Sequence, residues 1–423
     1  MRLLVPLRDA AVACLWGGLS LSAIGDQLYT VAVVWVAVGL LGAWAGYLPA
    51  LGAVMVLAMA LLGGRWADRY EPRSIMIGAD LVRAVALILA VLEWSVRGHI
   101  SAVTLVGLTM ILGAGQAVFR PALQGMLAPL VGVAERLPAA NALLDTTDRI
   151  ARLLGPGLVA MLAGLLATKH FFTLDAASFL ASAAALMLIG RWRRLPSLRR
   201  TGPREPLVTA VLRGFRAVAG HKVLRAEMQV SGALNGAWYA IMFLGVPLAI
   251  SHHGGAGLGT YGLVISAYGS TNLLATLLIG NRGMPANPGR MVFAGNLVLG
   301  VGMMGMALVA AAPLSPELAT LGFAAGACVG AVGGPMHDIP VAVLRQTELA
   351  RGDIPAAMRA SLVVNNVGML LAMGVAPVGY AMLPVSGVIG ACAAVIMAIG
   401  AVGVGRFASR PEPARWRAPG SPA

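Results

Sequence analysis

The sequence predicts an all-α membrane protein with twelve transmembrane helices in two six-helix bundles. Three observations support this fold class. Of the 423 residues, 58% are hydrophobic and 11% are charged, whereas soluble domains contain about 25% charged residues. Apolar stretches long enough to cross a bilayer recur along the whole chain. A basic segment, 191–225, divides these stretches into two equal sets.

A bilayer core about 30 Å thick requires roughly 20 mostly apolar residues per helix. With that length, the first bundle, 1–190, is predicted to contain helices near 11–38, 44–64, 74–95, 101–122, 139–167 and 171–190. The second bundle, 226–406, is predicted to contain helices near 226–250, 258–280, 291–312, 317–343, 358–382 and 385–405. Residues 407–423 form a tail. The first stretch is too long for a signal peptide, so we expect it to be retained as a helix.

The composition also excludes several other classes of protein. Intrinsic disorder and collagen-like fibres require far fewer apolar residues. The cysteines, Cys14, Cys328 and Cys392, lie within apolar stretches and are too few for a disulfide framework or a zinc site. Neither Lys169 nor Lys222 completes a G-x-x-x-x-G-K-[ST] phosphate loop. No ATP site of that type is therefore predicted, and secondary transport is favoured over a primary pump.

Positively charged residues orient the predicted bundles. The loops on one side contain only Arg97 and Lys169 of the 31 lysines and arginines. Because cytoplasmic loops retain positive charge, both termini are predicted to be cytoplasmic. The net charge of +14 is thus mainly an orientation signal, and nucleic-acid binding is not expected. Segment 191–225 is expected to lie on membrane lipids as an amphipathic linker. Its apolar face contains Leu207, Val208, Val211, Leu212 and Phe215.

The two halves of the chain contain similar short sequences. Residues 117–121, AVFRP, recur as AVGGP at 331–335, and LPAA at 137–140 recurs as IPAA at 354–357. The offsets are 214 and 217 residues, close to half the chain. Two matches in the same order at similar offsets indicate a six-plus-six duplication. This duplication places Asn365 opposite Asp148.

The loop after the second predicted helix, GRWADRYEPR at 64–73, resembles the G-x-L-A-D-R-x-G-R-R loop of the major facilitator superfamily. Trp66 and Glu71 replace a leucine and a glycine of that pattern. A basic loop that only fixes the topology is the alternative interpretation. With the twelve helices, the linker and the duplication, the resemblance extends over nearly the whole chain. The matching positions are Gly64, Ala67, Asp68, Arg69 and Arg73.

Further segments resemble one branch of that superfamily, the macrolide-efflux pumps and enterobactin-type siderophore exporters. They are LSAIGDQ at 21–27, PAANA at 138–142 and LDAASF at 174–179. The sequence RLLGPGLVA at 152–160 is similar to the fifth helix of antiporters, in which Gly155 and Pro156 would allow close packing and a bend. One position departs from the pattern. Many drug–proton antiporters have an arginine three residues before the glutamine that corresponds to Gln116, and here that residue is Gly113.

The resemblance implies a transporter rather than an enzyme. Proteins of this branch export drug- or siderophore-like molecules, which connects them with multidrug resistance and siderophore export. Alternating access around a cavity lined by helices one, four, seven and ten is implied. A proton gradient would be the energy source, no cofactor is expected, and a monomer is sufficient. An importer, a uniporter and a non-transporting membrane sensor of the same fold remain alternatives.

Ionisable side chains inside apolar helices are functional candidates, because each costs about 2.5–3.5 kcal/mol at mid-membrane. Asp26 interrupts the first predicted helix, where burial disfavours the charged carboxylate. We interpret Asp26 as a proton-coupling residue; a hydrogen-bonded structural acid is the alternative. Asp80 and Arg83 share one helix face and are expected to pair with the loop after the second helix. A cytoplasmic gate is expected from two i, i+4 pairs in helix five, Asp145 with Arg149 and Asp148 with Arg152.

Amide and aromatic side chains are candidates for the substrate cavity. Asn235, Trp238, Tyr239 and Met242 share one helical face, which suits an amphiphilic organic ligand; core packing explains the same pattern nearly as well. The adjacent His252 and His253 are more typical of a solvated loop than of a metal site, and no metal is expected. The full set of cavity candidates is Gln27, Gln116, Asn235, Trp238, Tyr239, Tyr268 and Asn365.

Overall fold

The structure, a computed structural model, describes residues 2–62, 70–132, 136–192, 207–252 and 257–408. All regular secondary structure in these ranges is helical. Ten of the helical segments described are long and apolar enough to cross a membrane. The all-helical prediction is therefore confirmed for the described part of the chain.

The N-terminal half contains six long helices. A 3₁₀ helix, Arg2–Arg8, precedes the first of them, and a second 3₁₀ helix, Gly42–Gly46, separates the first from the second. The long helices are α1 (Ala10–Leu41), α2 (Tyr47–Leu62), α3 (Pro72–Arg97), α4 (Ala102–Val131), α5 (Leu137–Leu162) and α6 (Lys169–Trp192).

The C-terminal half begins after a short helix, α7 (Leu207–Ala219). Its first long helix has three parts, which are α8 (Lys222–Tyr239), a π-helical segment (Ala240–Gly245) and α9 (Val246–His252). The remaining helices are α10 (Leu258–Gly280), α11 (Pro288–Ala311), α12 (Pro316–Glu348), α13 (Ile354–Met382) and α14 (Val385–Arg406).

Each predicted helix has a counterpart, although two features separate the ten apolar segments from the twelve predicted helices. One apolar segment, Ala10–Met55, runs from α1 through the 3₁₀ helix into α2. Helix α5 is not among the ten. It contains Asp145, Asp148, Arg149 and Arg152, which lower its apolar character.

Local sequence explains several helix ends. The Asp9 carboxylate caps α1 by accepting a hydrogen bond from the backbone N–H of Ala11 at 2.9 Å. Gly98 ends α3 in the left-handed conformation, at φ 76°, which glycine adopts without strain. Prolines occupy the first turn of α3, α5, α11, α12 and α13, where a missing N–H costs no helical hydrogen bond.

Glycines bring several helices into backbone contact. In the C-terminal half, α11 packs on α12 and α14, and α8 packs on α13. Gly302 of α11 lies directly against the backbone of Gly326 and Gly330 in α12, with no room for a Cβ atom. Such small-residue contacts let membrane helices approach closely. In the N-terminal half, α6 packs on α1 and α3, and α4 packs on α2 and α3.

The two halves meet where α5 packs on α10 and where α2 packs on α13. A Cβ atom on Gly262 of α10 would lie 2.9 Å from the backbone O of Pro156 and the backbone N of Ala160 in α5. A Cβ atom on Gly157 would lie 3.0 Å from the hydroxyl of Ser266. We call this contact, made by Pro156, Gly157 and Ala160 with Gly262 and Ser266, the α5–α10 seam. It joins the C-terminal part of α5 to the N-terminal part of α10.

Helix α7 is amphipathic, as predicted for the linker, and Val208, Val211, Leu212, Phe215 and Val218 lie on one side of it. Only one edge of this face is covered: Val211 and Val218 pack in a buried cluster, whereas Val208, Leu212 and Phe215 are exposed. The division arises because α7 packs on α13, where Gly214 lies against the backbone of Ala356. The side chain of Leu207 and residues 193–206 lie outside the described part of the linker.

Candidate functional site

The N-terminal half contains a cavity of about 490 Å³. The predicted seventh and tenth helices were expected to line the substrate cavity together with the first and the fourth. All the described lining residues of this cavity instead belong to α1, α3, α4, α5 and α6. Charged, amide and aromatic side chains line it together. They include Asp26, Gln27, Tyr29, Arg83, Gln116, Phe119, Arg120, Asn141, Asp145, Asp148, Arg152 and Phe179.

The cavity extends toward the helix ends that the sequence places in the cytoplasm. It runs from Tyr29, in the middle of α1, to Gln124 near the end of α4 and Asn141 near the start of α5. Near that end, the side chains of Asp145 and Arg149 are 61% and 69% exposed. The α5–α10 seam holds the opposite end of α5 against α10. The structure is therefore open at the ends predicted to be cytoplasmic.

Asp26 lies in the middle of α1, is half-buried and lines the cavity. Its backbone carbonyl accepts a hydrogen bond from the hydroxyl of Thr30 at 2.6 Å. Within the described residues, its carboxylate has no hydrogen-bond donor and no ion-pair partner. The charges of Arg83, Asp80 and Asp148 act on it from the surrounding helices. The structure thus places the predicted proton-coupling residue on the cavity wall.

Arg83 is the buried cation of this half. It pairs with Asp80, and both residues are almost inaccessible to solvent. Its guanidinium lies over the rings of Phe179 and Phe119, with 4.1 and 5.0 Å to their centroids. Asp80 and Arg83 thus pair with each other across the face that they were predicted to share. Their expected contact with the loop after the second helix stays a prediction, because residues 63–69 lie outside the described part of the chain.

Arg83 also lies beside Gln116 and donates a hydrogen bond to Gln116 Oε1 at 3.3 Å. The sequence has Gly113 where many antiporters have that arginine in helix four, and here the arginine comes from α3. Gly115 makes this possible: a Cβ atom there would lie 2.7 Å from the Cδ of Arg83.

The predicted pairs of α5 are partly correct. Arg149 Nε donates to Asp145 Oδ2 at 2.9 Å, which confirms that i, i+4 pair. The second prediction is wrong, because Asp148 pairs with Arg120 of α4, with 3.6 Å between Nη2 and Oδ2. Arg120 reaches α5 from the neighbouring helix, and Arg152 lies on the cavity wall.

Gly155 and Pro156 lie where α5 contacts two other helices. A Cβ atom on Gly155 would collide with the side chain of Gln27 in α1, so the glycine lets Gln27 lie close to α5. Pro156 belongs to the α5–α10 seam. The predicted close approach of helices at these residues is confirmed, and Gln27 lines the cavity as expected.

The motif loop is described only at its end. Gly64, Asp68 and Arg69 lie outside the described residues. Arg73, in the first turn of α3, forms an ion pair with Glu71, with 3.5 Å between Nε and Oε1. Its guanidinium also lies against Gly190 of α6, where a Cβ atom would overlap it.

The cavity candidates of the C-terminal half do not line this cavity and bond to one another. Trp238 Nε1 donates to the hydroxyl of Tyr268 at 3.1 Å, and Asn235 Nδ2 donates to the backbone O of Asn365 at 2.9 Å. Tyr239 packs edge-on against Trp238, with 5.1 Å between the ring centroids.

Met242, which was predicted to share a helical face with Asn235, Trp238 and Tyr239, is fully buried. The π-helical segment starts at Ala240 and changes the periodicity before Met242 is reached. His252 ends α9, and His253 lies outside the described residues.

Asp175 is a buried acid that the site prediction omitted. It lies in the second turn of α6 and has no exposed surface. The hydroxyl of Ser178 donates to its Oδ1 at 3.3 Å, while Oδ2 has no partner among the described residues. The sequence did contain a signal, since Asp175 is an ionisable residue within a predicted helix, the criterion that selected Asp26. It was interpreted only as part of the LDAASF resemblance.

Glu227, the buried acid among the described residues of the C-terminal half, has a basic side chain beside each of its oxygens. Arg345 Nη2 donates to Glu227 Oε2 at 3.0 Å. The Nε2 atom of His337 lies 3.8 Å from Glu227 Oε1. Both neighbours come from α12, so this cluster joins α12 to α8.

Comparisons with known proteins agree with the fold. Residues 2–332 match a family described as "Transmembrane secretion effector". An uncharacterized MFS-type transporter, y4rN of Sinorhizobium fredii (strain NBRC 101917 / NGR234), is 25% identical over 337 residues, or 79% of each chain.

Solved structures of low identity share the fold. A bacterial homologue of the iron transporter ferroportin, in an inward-facing state, has a TM-score of 0.69 at 15% identity and covers 94% of this chain and 98% of its own. The nucleoside transporter NupG, as a point mutant, has a TM-score of 0.66 at 12% identity and covers 92% and 99%. The family match spans most of the chain, and these relatives and structural neighbours are transporters rather than enzymes. The chain therefore belongs to the transmembrane secretion effector family and is a multi-pass membrane transporter of the major facilitator type.

Proposed function

We propose that this chain exports a drug- or siderophore-like small organic molecule across the cytoplasmic membrane by proton antiport. Helices α1–α6 would form one bundle of six spans. The other bundle would consist of α8 with α9 as one span, followed by α10–α14. This gives twelve spans with both termini in the cytoplasm. Helix α5, despite its four charged residues, would be the fifth span.

The observation that carries the proposal is the carboxylate of Asp26, which lines the cavity without a bonded partner in the described part of the chain. A carboxyl group in a partly desolvated site can exchange a proton when its surroundings change. Ionised Asp26 would attract a cationic group of the substrate, and protonated Asp26 would release it. Competition between the proton and the substrate for one carboxylate is sufficient for antiport.

The cavity suits a small organic molecule. Its volume of about 490 Å³ falls within the range of about 300–1,000 Å³ typical of small-molecule sites. Gln27 and Asn141 offer hydrogen bonds, and Phe119 and Phe179 offer aromatic surface. Asp145 and Asp148 each pair with an arginine, so Asp26 is the described acid of the cavity wall whose carboxylate is available to a cationic group of the substrate.

Alternating access would require the α5–α10 seam to open while the cytoplasmic ends close. The Arg120–Asp148 pair lies at the open end and is partly exposed, at 62% and 40% of its side chains. Exposed pairs contribute about 0–1 kcal/mol, so this pair can break and form again during the cycle. We propose a proton gradient as the energy source, with no cofactor, and a monomer as the working unit.

The experiment uses inside-out vesicles loaded with a pH-sensitive dye, with Asp26→Asn compared with the native chain. Glu93→Gln is the matched control, because it removes one carboxylate from α3 at Arg97, away from the cavity. Cationic drugs and iron-free siderophores are added singly under an imposed proton gradient. We expect one compound to dissipate the gradient with the native chain and with Glu93→Gln, but not with Asp26→Asn.

Other results would contradict the proposal in different ways. Equal responses of the native chain and Asp26→Asn would remove Asp26 from the proton path. Substrate accumulation only in right-side-out vesicles would indicate an importer. Binding of a compound without any flux would indicate a sensor.

A further inference from the structure

Among the described residues, the interior of the N-terminal half contains more carboxylates than cations. Asp26, Asp80 and Asp175 lie in α1, α3 and α6, and the charge of Arg83 acts on all three. Arg83 is paired directly with Asp80. Ionisation of all three acids would therefore leave the charges of Asp26 and Asp175 without a direct partner. An unpaired charge in such an interior is strongly disfavoured, so protons are expected to neutralise the excess.

Of Asp26 and Asp175, the two acids without a bonded cation, Asp175 is the more deeply buried. It has no exposed surface, and Oδ2 has no donor within hydrogen-bond distance in the described residues. Its side-chain bond comes from the neutral hydroxyl of Ser178 at 3.3 Å, and that hydroxyl lies closer, at 2.8 Å, to the backbone O of Asp175, to which it also donates. One neutral donor does not offset a full negative charge, so a proton on Oδ2 would suit this environment better than a carboxylate.

Asp175 also packs against the backbone of α1 next to Asp26. A Cβ atom on Gly25, the residue before Asp26, would lie 2.8 Å from Asp175 Oδ1 and would collide with the Ser178 hydroxyl. Glycine at this position lets the carboxyl of α6 rest on the backbone of α1. The charged and titratable groups that act here are Asp26 and Tyr29 of α1, and Asp80 and Arg83 of α3.

We propose that Asp175 is a second proton-binding site, so that the N-terminal half binds two exchangeable protons rather than one. The added proton forms an O–H bond at Asp175 Oδ2. A proton on either carboxyl removes a negative charge that opposes ionisation of the other, so the two acids titrate as a coupled pair. Asp26 exchanges its proton with water in the cavity, whereas Asp175 binds a second proton at the contact between α6 and Gly25 of α1. The use of this pair in transport rests on the proposed antiport, whereas its existence does not.

The test is infrared spectroscopy of the full-length protein in lipid nanodiscs, without substrate and without a gradient. The carbonyl stretching band of protonated carboxyl groups is recorded over a pH series. Asp175→Asn is compared with the native chain, and Ser178→Ala is the control that keeps the carboxyl but removes its donor. We expect Asp175→Asn to lose the band amplitude of about one carboxyl, and Ser178→Ala to retain the amplitude at a shifted frequency. An unchanged band in Asp175→Asn would overturn the proposal.

The infrared spectrum of Asp26→Asn provides a second test if Asp175→Asn does not fold. The band of Asp175 is expected to persist in Asp26→Asn, because Asp175 binds its own proton. Loss of all protonated-carboxyl signal in Asp26→Asn would overturn the proposal. Because no transport is measured, failure of the antiport proposal in vesicles would leave these spectra unchanged, and the two failures are distinguishable.

Discussion

The two halves treat their buried acids differently. In the C-terminal half, Glu227 lies 3.0 Å from the guanidinium of Arg345 and 3.8 Å from the imidazole of His337, so one oxygen faces a cation and the other faces a histidine ring. In the N-terminal half, Asp26 and Asp175 have no cation bonded to them within the described residues. Both halves consist of similar helices. In the described residues, the polar cavity lies in the N-terminal half, together with these two acids.

This difference indicates that the two halves have different roles. The N-terminal half, in which Asp26 and Asp175 lack a bonded cation while Asp80 is paired with Arg83, can change its charge by binding protons or a cationic substrate. A half whose acid is compensated, and whose helices touch through Gly302, Gly326 and Gly330, is suited to move as a rigid body. Chemistry in the first half would thus be converted into rocking against the second. The predictions that follow test this contrast, from the largest expected effect to the smallest.

Loss of Arg83 should damage the protein more than loss of Arg345. Arg83→Met leaves Asp80 buried without its cation, and breaking a buried pair in this way costs about 3–5 kcal/mol. Arg345→Met leaves His337 beside Glu227, so a smaller loss is expected. Thermal stability of the detergent-solubilised protein, followed by size-exclusion chromatography after heating, measures both. The double change Arg83→Met with Asp80→Asn should recover part of the loss, and equal losses in the two halves would contradict the contrast.

Glycine contacts in the C-terminal half should not tolerate a methyl group. Gly302→Ala places a Cβ atom into the backbone of α12 and should cost about 1–3 kcal/mol by overpacking. Gly305→Ala on the same helix is the matched control, because its Cβ atom would have no neighbour closer than 4.0 Å. Apparent melting temperatures of the two variants provide the measurement. Similar temperatures would mean that α11 and α12 adjust easily, and that the C-terminal half is not rigid.

The α5–α10 seam should set the balance between the open and closed ends. Gly262→Ala puts a Cβ atom 2.9 Å from Ala160 N and should wedge the seam apart, which favours closure of the cytoplasmic ends. Gly269→Ala is the control, because its nearest contact would be an ordinary 3.7 Å, to Leu153.

The reporter for this seam is Asn141→Cys, in a background in which the native cysteines are replaced. A membrane-impermeant maleimide is added to inside-out vesicles, where it reaches the cytoplasmic face. Labelling should slow severalfold with Gly262→Ala and remain unchanged with Gly269→Ala. Equal rates in both variants would show that the seam does not control access to the cavity.

The fold could be predicted from the sequence because hydropathy and proline positions are local signals. Asp26 was found for the same reason, since a charge in an apolar helix is visible in one segment. The Asp145–Arg149 pair was also correct, because both residues lie on one helix. Contacts between helices were harder to predict: Asp148 pairs with Arg120 of another helix, and no spacing in the sequence shows how far α4 lies from α5.

Two other features needed the three-dimensional arrangement. Gly115 and Gly25 could each be interpreted as ordinary glycines of a membrane helix, yet one makes room for Arg83 and the other for Asp175. Asn235, Trp238 and Tyr239 were placed in the substrate cavity because their spacing puts them on one helical face. That spacing does not show that Trp238 bonds to Tyr268 and that Asn235 bonds to the backbone of Asn365. The π-helical segment that follows Tyr239 is likewise not marked by the hydrophobic pattern.

The smallest predicted effect concerns how each half begins. Helix α1 is capped by the carboxylate of Asp9, whereas α8 is capped by His221, whose Nδ1 accepts a hydrogen bond from the backbone N–H of Leu224 at 3.2 Å. Only the neutral imidazole can accept this bond, and burial lowers the pKa of His221 below its usual 6.5. Stability from this cap is therefore present above pH 6.5 and is lost as the pH falls through the lowered pKa.

His221→Asn keeps a good cap that does not titrate, so it tests this difference directly. Between pH 8 and pH 5, the native chain should lose about 1 kcal/mol more stability than His221→Asn, the usual contribution of a cap. Apparent melting temperatures of both proteins over that range provide the measurement. Parallel curves would mean that α8 does not depend on its cap, and any pH response of the chain would then have to come from other groups, of which the unpaired acids of the N-terminal half are the first candidates.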